Sequence, residues 1–347
     1  MVIKKDILEI NFILKKFSPG TSLRNALNDL LRARIGALIV IEKEGLSEII
    51  GGGFKINSRF TPQRLVELSK MDGAIILSED LKRIIRVNTL LSPRVRISTK
   101  ETGTRHQAAE RTAKQLNTIV MAVSERKNKI SIYFGNEKYE LEETSEILRR
   151  ATETLQILEK QKDLFDDSLA NLNILEIDNL VYASDVCKVL QRIEIIRRIS
   201  DIVKRYLFEL GKEGTIVSMR LRELTKNISS ESRMILEDYF KENFSRIKNV
   251  LYEMNFDFLI ETPNISRILF EETEDKLVSS RGFRLMSKTG ILEKDIEILL
   301  NNFNTFDILF NFNKDRLLDV FKNENLVSFI VNELQNLKEK IMTGKKL

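Results

Sequence analysis

The sequence predicts an α/β domain, a mixed sheet flanked by helices, followed by an all-α helical spine and a small all-α C-terminal domain. Three observations predict this. Short apolar runs of strand length alternate with helix-patterned segments up to Leu141. From Glu142 onward no further β pattern occurs. The 347 residues contain four prolines and no tryptophan, a composition that suits long helices better than a loop-rich all-β fold. The boundaries expected from these changes of texture are 1–141, 142–284 and 285–347.

Taken in order, residues 1–17 read as an amphipathic helix stopped by Ser18-Pro19-Gly20. Thr21 or Ser22 caps a second helix to about Arg34, with Leu23, Ala26, Leu27, Leu30 and Leu31 at helical spacing. Gly36–Ile41 reads as a buried strand. Gly51-Gly52-Gly53 marks a loop or a close backbone approach. Thr61-Pro62 starts a helix to about Lys70, since proline suits the first helical position. Ala74–Leu77, Ile84–Val87 and Ile119–Ser124 are further strand candidates, with 88–101 read as a loop. Lys129–Phe134 and Lys138–Leu141 flank Gly135-Asn136-Glu137 as a hairpin. Helical segments follow at 142–175, 184–210, 215–226 and 231–260. The final block shows short helices at 295–303, 305–310 and 314–321, then a longer one.

The charge balance bounds the function. A net charge of +5 permits a nucleotide or nucleic-acid partner without arguing for one. A lone cysteine, Cys187, excludes an internal disulfide framework and fits a reducing cytosol. No run approaches the roughly 18 apolar residues of a membrane span, and the N-terminus has no signal-peptide pattern. A soluble, cytoplasmic protein is expected.

Chemistry concentrates at Thr102–Arg111, which carries His106, the only histidine. Thr102 and Thr104 are both plausible N-caps, and Ala108, Ala109 and Ala113 favour helix. Arg105 and His106 then occupy a first turn that already carries partial positive charge. Two readings are open: an incidental solvated helix end, or a helix start that binds an anion through its amides, hydroxyls and guanidinium. Asp72-Gly73 at a strand start and Ser124 at a strand end are the other polar points. Each alone fits a turn or a cap. Together, a carboxylate able to hold a metal and accept a proton, and donors able to hold phosphate, suit phosphoryl or nucleotidyl transfer. No P-loop and no Gly-x-Gly-x-x-Gly is present.

Met71-Asp72-Gly73-Ala74, followed at long spacing by Gly103-Thr104-Arg105-His106, resembles the Asp-Gly-Ala and Arg-His-Arg motifs of the diadenylate cyclase family. The order of domains, and Ser279-Ser280-Arg281-Gly282-Phe283-Arg284-Leu285, resemble its DNA integrity scanning (DisA) branch. The resemblance implies condensation of two ATP into cyclic di-AMP with release of two pyrophosphates. Two cyclase domains from different subunits would meet face to face, in a homo-oligomer that for this branch is an octamer. It implies Mg²⁺ or Mn²⁺ on Asp72, which would also assist 3′-hydroxyl deprotonation. Gly73 would lie against the nucleotide, Thr104, Arg105, His106 and Ser124 would hold phosphates, and Leu91 would lie near the base. The C-terminal domain would be a helix-hairpin-helix module for branched DNA.

Two departures stand out. The third position of the Arg-His-Arg motif is Gln107. If its side chain faces a phosphate, a charge-assisted bond becomes a neutral one; if it is structural, little changes. The two hairpin glycines are replaced by Lys322 and Glu324. From Ser287 onward nine Lys or Arg are balanced by nine Asp or Glu, which removes the electrostatic pull on a duplex. DNA binding by the usual hairpin is therefore expected to be weakened or lost. The alternative function is a DNA-structure-binding or scaffold protein with a decayed cyclase.

Overall fold

The computed structural model describes residues 16–271, 273–303 and 314–344. The expected helices at 1–17 and 305–310 fall largely or wholly outside them.

The chain forms two compact units. One is built from the chain up to Thr152 together with Lys204–Ser218, the other from Glu153–Val203 together with the chain from Met219 onward.

The first unit is organised on a mixed sheet. Its strands are β1 (Ala37–Ile41), β2 (Ile50–Gly51), β3 (Phe54–Arg59), β4 (Ala74–Leu77), β5 (Arg83–Leu91), β6 (Ile119–Ser124), β7 (Lys129–Phe134) and β8 (Glu137–Leu141). The main path runs β2-β5-β4-β1-β6-β7-β8, with β3 also paired to β5. Among the described residues only β1 and β4 pair in parallel; the other neighbours are antiparallel. β1 and β4 are buried along their whole length, as their unbroken apolar runs require.

Each face of the sheet carries its own core. On one face α1 (Ser22–Arg32) packs Leu23, Ala26, Leu27 and Leu30 with Leu65 of α2 (Pro62–Leu68) against Ile39, Ile75 and Met121. On the other, α3 (Thr104–Leu116) sets Ala109 and Ala113 against Leu38, Val40, Ile76 and Tyr133. Small residues there let the helix approach the sheet closely. Thr21 caps α1 and Thr61 caps α2 through their side-chain oxygens.

Three local expectations are corrected. Phe54–Arg59 is a strand. Its exposed, polar-interrupted pattern lacks the apolar run that marks a buried strand, because it lies on the rim of the sheet. β5 continues to Leu91, so that residue ends a strand and does not sit in a loop. Neither Thr102 nor Thr104 caps α3; the N-cap is Gly103, with no side-chain cap.

The second unit is helical. Its long elements are α4 (Thr144–Asp178) from Glu153 and α5 (Ala183–Leu210) to Val203, and α6 (Thr215–Leu224) enters it at Met219. The segment expected as one helix over 231–260 is three: α7 (Ile228–Phe240), α8 (Phe244–Glu253) and α9 (Phe256–Ile260). Breaks fall at Lys241, which takes a positive φ, and at Met254, which turns extended. α10 (Thr262–Leu269), missed from sequence, begins on Thr262-Pro263. The C-terminal helices are α11 (Phe283–Met286), α12 (Glu293–Asn302), α13 (Lys314–Phe321) and α14 (Glu324–Met342). They share a core of Leu285, Ile296, Leu299, Leu317, Val327, Ile330, Leu334 and Leu337, joined by Ile177 of α4.

An ionic cluster is buried in this unit. Arg284, 1% exposed, donates from Nη2 to Glu176 Oε2 at 2.7 Å. Tyr239 donates to the other Glu176 oxygen at 2.6 Å. The Asp238 carboxylate accepts the amides of Phe283 and Arg284 at 3.1 and 3.0 Å, which caps α11.

Candidate active site

The sheet registers place the motif residues. Leu38 of β1 lies beside Ala74 of β4, and Ala37 lies opposite Val123 of β6. Continuing these registers by one or two residues brings Gly36, Asp72 and Ser124 to the same edge of the sheet. β5 runs antiparallel to β4 with Thr89 opposite Ala74, so Leu91 also lies toward that edge, paired with Ile50.

Gly73 is fixed by its backbone. Its φ is +89°, and a Cβ there would lie 2.9 Å from Asn88 C and Thr89 N. No side chain fits such a position without displacing β5. On the same segment of β5, Gly53 (φ +75°) meets the Val87 and Asn88 carbonyls and the Thr89 hydroxyl at a similarly short distance. Between these two glycines β5 carries a register shift, with Asn88 at φ +50°. The close approach expected at the triple glycine is thus at Gly53. Asp72 follows Met71 in the exposed turn before Gly73, and among the described residues no hydrogen bond or ion pair holds its carboxylate.

Arg105 lies against β1. Its guanidinium lies over Gly36, where a Cβ would make this flexible side chain shift aside. Gly36 was missed as a site residue, because a glycine before an apolar run carries no signal of what crosses it. The first-turn amides at Thr104, Arg105 and His106 have no acceptor within the helix, and the first turn has no acidic residue.

His106 stands edge-on to Tyr133, with ring centroids 6.5 Å apart and planes at 77°. Burial pushes its pKa below the usual value; Glu101 opposes this, while Lys138, Lys127 and Arg105 reinforce it. The shift favours the neutral imidazole. That eases the conflict of two basic residues at a helix start. Burial and the Glu101 carboxylate raise the Tyr133 phenol.

Ser124 is half-buried, and its hydroxyl accepts the Lys127 amide at 3.3 Å, closing the turn into β7. Thr104 is exposed as the first residue of α3. The Gln107 side chain is structural in the free protein: Nε2 donates to the Glu101 carbonyl at 2.9 Å and ties down the segment before the helix.

Asp72 is the carboxylate at the edge, and no group of three His, Cys, Asp or Glu suited to a metal occurs among the described residues. One exposed carboxylate fits a hard cation that takes most of its remaining ligands from phosphate and water. It does not fit a closed protein cage.

Comparison with known proteins identifies two family matches along the chain. Residues 24–138 match the family described as DisA bacterial checkpoint controller nucleotide-binding, and residues 141–277 match the DisA bacterial checkpoint controller linker region. The DNA integrity scanning protein DisA of Clostridioides difficile is 41% identical over 346 residues, covering 97% of each chain. That of Acetivibrio thermocellus is 42% identical over 326 residues, covering 91% of this chain and 90% of its own. Among solved structures, a DacA from Staphylococcus aureus aligns with 38% of this chain and 88% of its own at 30% identity, with a TM-score of 0.30. With two motifs on one sheet edge and near full-length relatives, the chain belongs to the DisA branch of the diadenylate cyclases, a family of nucleotidyltransferases.

Proposed function

We propose that this protein condenses two ATP into cyclic di-AMP and two pyrophosphates, between two nucleotide-binding domains of different subunits. The observation that carries the reading is the convergence of Asp72-Gly73, Arg105 over Gly36, and Ser124 on one sheet edge. Arg105, Thr104 and the first-turn amides of α3 bind the phosphates, where a helix start favours negative charge. His106, its pKa lowered by burial, adds a hydrogen bond, and Ser124 supplies a hydroxyl. Gly73 lets the nucleotide approach the backbone, and Leu91 offers an apolar wall to the base. Asp72 accepts the proton of the attacking 3′-hydroxyl. Asp72 would also hold Mg²⁺ or Mn²⁺, whose charge would offset that developing on the phosphates.

One such edge holds one nucleotide, and ring closure needs a second facing it. Met71 and Leu90, large apolar residues 41% and 66% exposed beside the motif, support a covered face there. The homo-oligomer, an octamer in this reading, is what brings two edges together.

The C-terminal domain is proposed to bind branched DNA weakly or not at all through its hairpin. Lys322 keeps the left-handed backbone of a hairpin glycine, at φ +51°. The amides beyond it are already used: Asn323 Oδ1 accepts those of Asn325 and Leu326 at 3.1 and 3.2 Å. Glu324 occupies the first turn of α14 and repels a phosphate there.

Incubation of the full chain with ATP and Mg²⁺ or Mn²⁺, followed by mass spectrometry, should reveal cyclic di-AMP. Its absence, or undiminished product from Asp72→Asn, would refute the catalytic assignment. A band shift on a four-way junction at low salt, as strong as that of a family member with hairpin glycines, would refute the DNA assignment.

A further inference from the structure

The segment between β5 and α3, residues 92–103, has no β partner among the described residues, yet one face of α3 fastens it almost residue by residue. Gln115 Oε1 accepts the Arg94 amide at 2.8 Å. Arg111 Nε donates to the Ile97 carbonyl at 3.0 Å, and Lys114 Nζ to the Ser98 carbonyl at 2.9 Å. Glu110 Oε2 accepts both the Thr99 hydroxyl and the Lys100 amide. Gln107 holds the Glu101 carbonyl. Positions 107, 110, 111, 114 and 115 form one helical stripe. Glu110 is its centre, since its other oxygen binds Lys114 Nζ at 2.6 Å and both side chains are less than one-fifth exposed. These bonds hold the Glu110 carboxyl below its usual pKa against the opposing effect of burial.

The strap joins two groups that the proposed reaction must hold in register. Leu91 lies just before it, and the Thr104–His106 helix start lies just after it. Gly103, the N-cap of α3, is the last residue of the strap. Without the stripe, the base wall and the phosphate cradle would be linked by a mobile loop.

We propose that Glu110, flanked by Gln107, is a positioning residue of the cyclase reaction: by fastening 94–101 to α3 it fixes Leu91 and the Arg105-His106 helix start as one rigid nucleotide cradle. This rests on the reaction proposed above. It also assigns a role to the departure from the Arg-His-Arg motif: Gln107 acts on the strap and not on a phosphate.

The test uses the full chain, with wild type required to form cyclic di-AMP; if it does not, the functional reading has failed, and this one is not what failed. Glu110→Ala and the milder Gln107→Ala are compared with wild type by steady-state kinetics, hydrogen exchange and thermal midpoint. The expected result for Glu110→Ala is faster exchange confined to the strap, a thermal midpoint close to wild type, and a loss of kcat/KM of about tenfold or more, as displaced reacting groups produce. Gln107→Ala should show the same pattern at smaller amplitude, and it carries the test if Glu110→Ala does not fold. Faster strap exchange with kcat/KM within about twofold of wild type overturns the proposal. Unchanged strap exchange overturns it too. So does a Gln107→Arg variant that binds ATP about tenfold more tightly, since that side chain would then be reaching phosphate.

Discussion

At the sheet edge of the first unit, Asp72 and Arg105 stand exposed. In the helical unit, Arg284 and Glu176 are fully buried, paired at 2.7 Å and joined by Tyr239 and Glu231. The two regions use the same residue types for opposite ends. A charge kept for a ligand must stay hydrated and available, so the protein leaves it at a rim and spends glycines, Gly36 and Gly73, on its surroundings. A charge kept for the fold must recover its lost hydration from neighbours, so it is surrounded by them.

The contrast can be broken by removing one group from each side. Asp72→Asn should lower cyclic di-AMP formation by about a hundredfold or more, in line with loss of a general base, and leave the thermal midpoint unmoved; quantified product and a melting curve check both. Arg284→Met should do the reverse. It leaves buried carboxylates without their cation, an expected loss of about 3–5 kcal/mol in denaturant unfolding of the helical unit. ATP binding at the sheet edge should survive wherever the chain stays folded.

Gly73→Ala tests where the two behaviours meet. The φ of +89° and the 2.9 Å approach to β5 make any side chain costly. A loss of about 1–3 kcal/mol is expected from strain alone, with a fall in activity because Asp72 is carried with the turn. A stable and fully active variant would show that the turn does not set the carboxylate.

The smallest expected effect is in pH. Burial, with Glu176 nearby, pushes Asp238 up to about 7 from an ordinary 3.8, although the Arg284 and Phe283 amides oppose it. An acid whose pKa is raised by folding favours the folded state while protonated. That stability is complete below the unfolded value and is lost as pH rises through about 7. Between pH 6 and 8 the helical unit should lose about 1 kcal/mol. Asp238→Asn should flatten this slope, and a slope that persists would place its source elsewhere.

The sequence by itself determined the fold class, most of the sheet, and the motif residues. Unbroken apolar runs such as Ala74–Leu77 can only be buried strands or buried helix segments, and their flanking turns choose between these. Asp72-Gly73 and Arg105-His106 were legible because their chemistry is written in consecutive residues. What tertiary structure decided depends on distant approach. The rim strand at Phe54–Arg59 takes its form from pairing with β5, and not from its own pattern. Gly36 matters only because Arg105, far along the chain, crosses it. The lowered pKa of His106 comes from its burial, beside Tyr133 of β7. Gln107, a gap in a motif when read alone, became a strap tie once the chain placed the Glu101 carbonyl within its reach. Local sequence fixes which groups are present and on which face of an element they stand. Which groups meet, and which protons they hold, is set by burial and long-range contact, and those exist only in the folded chain.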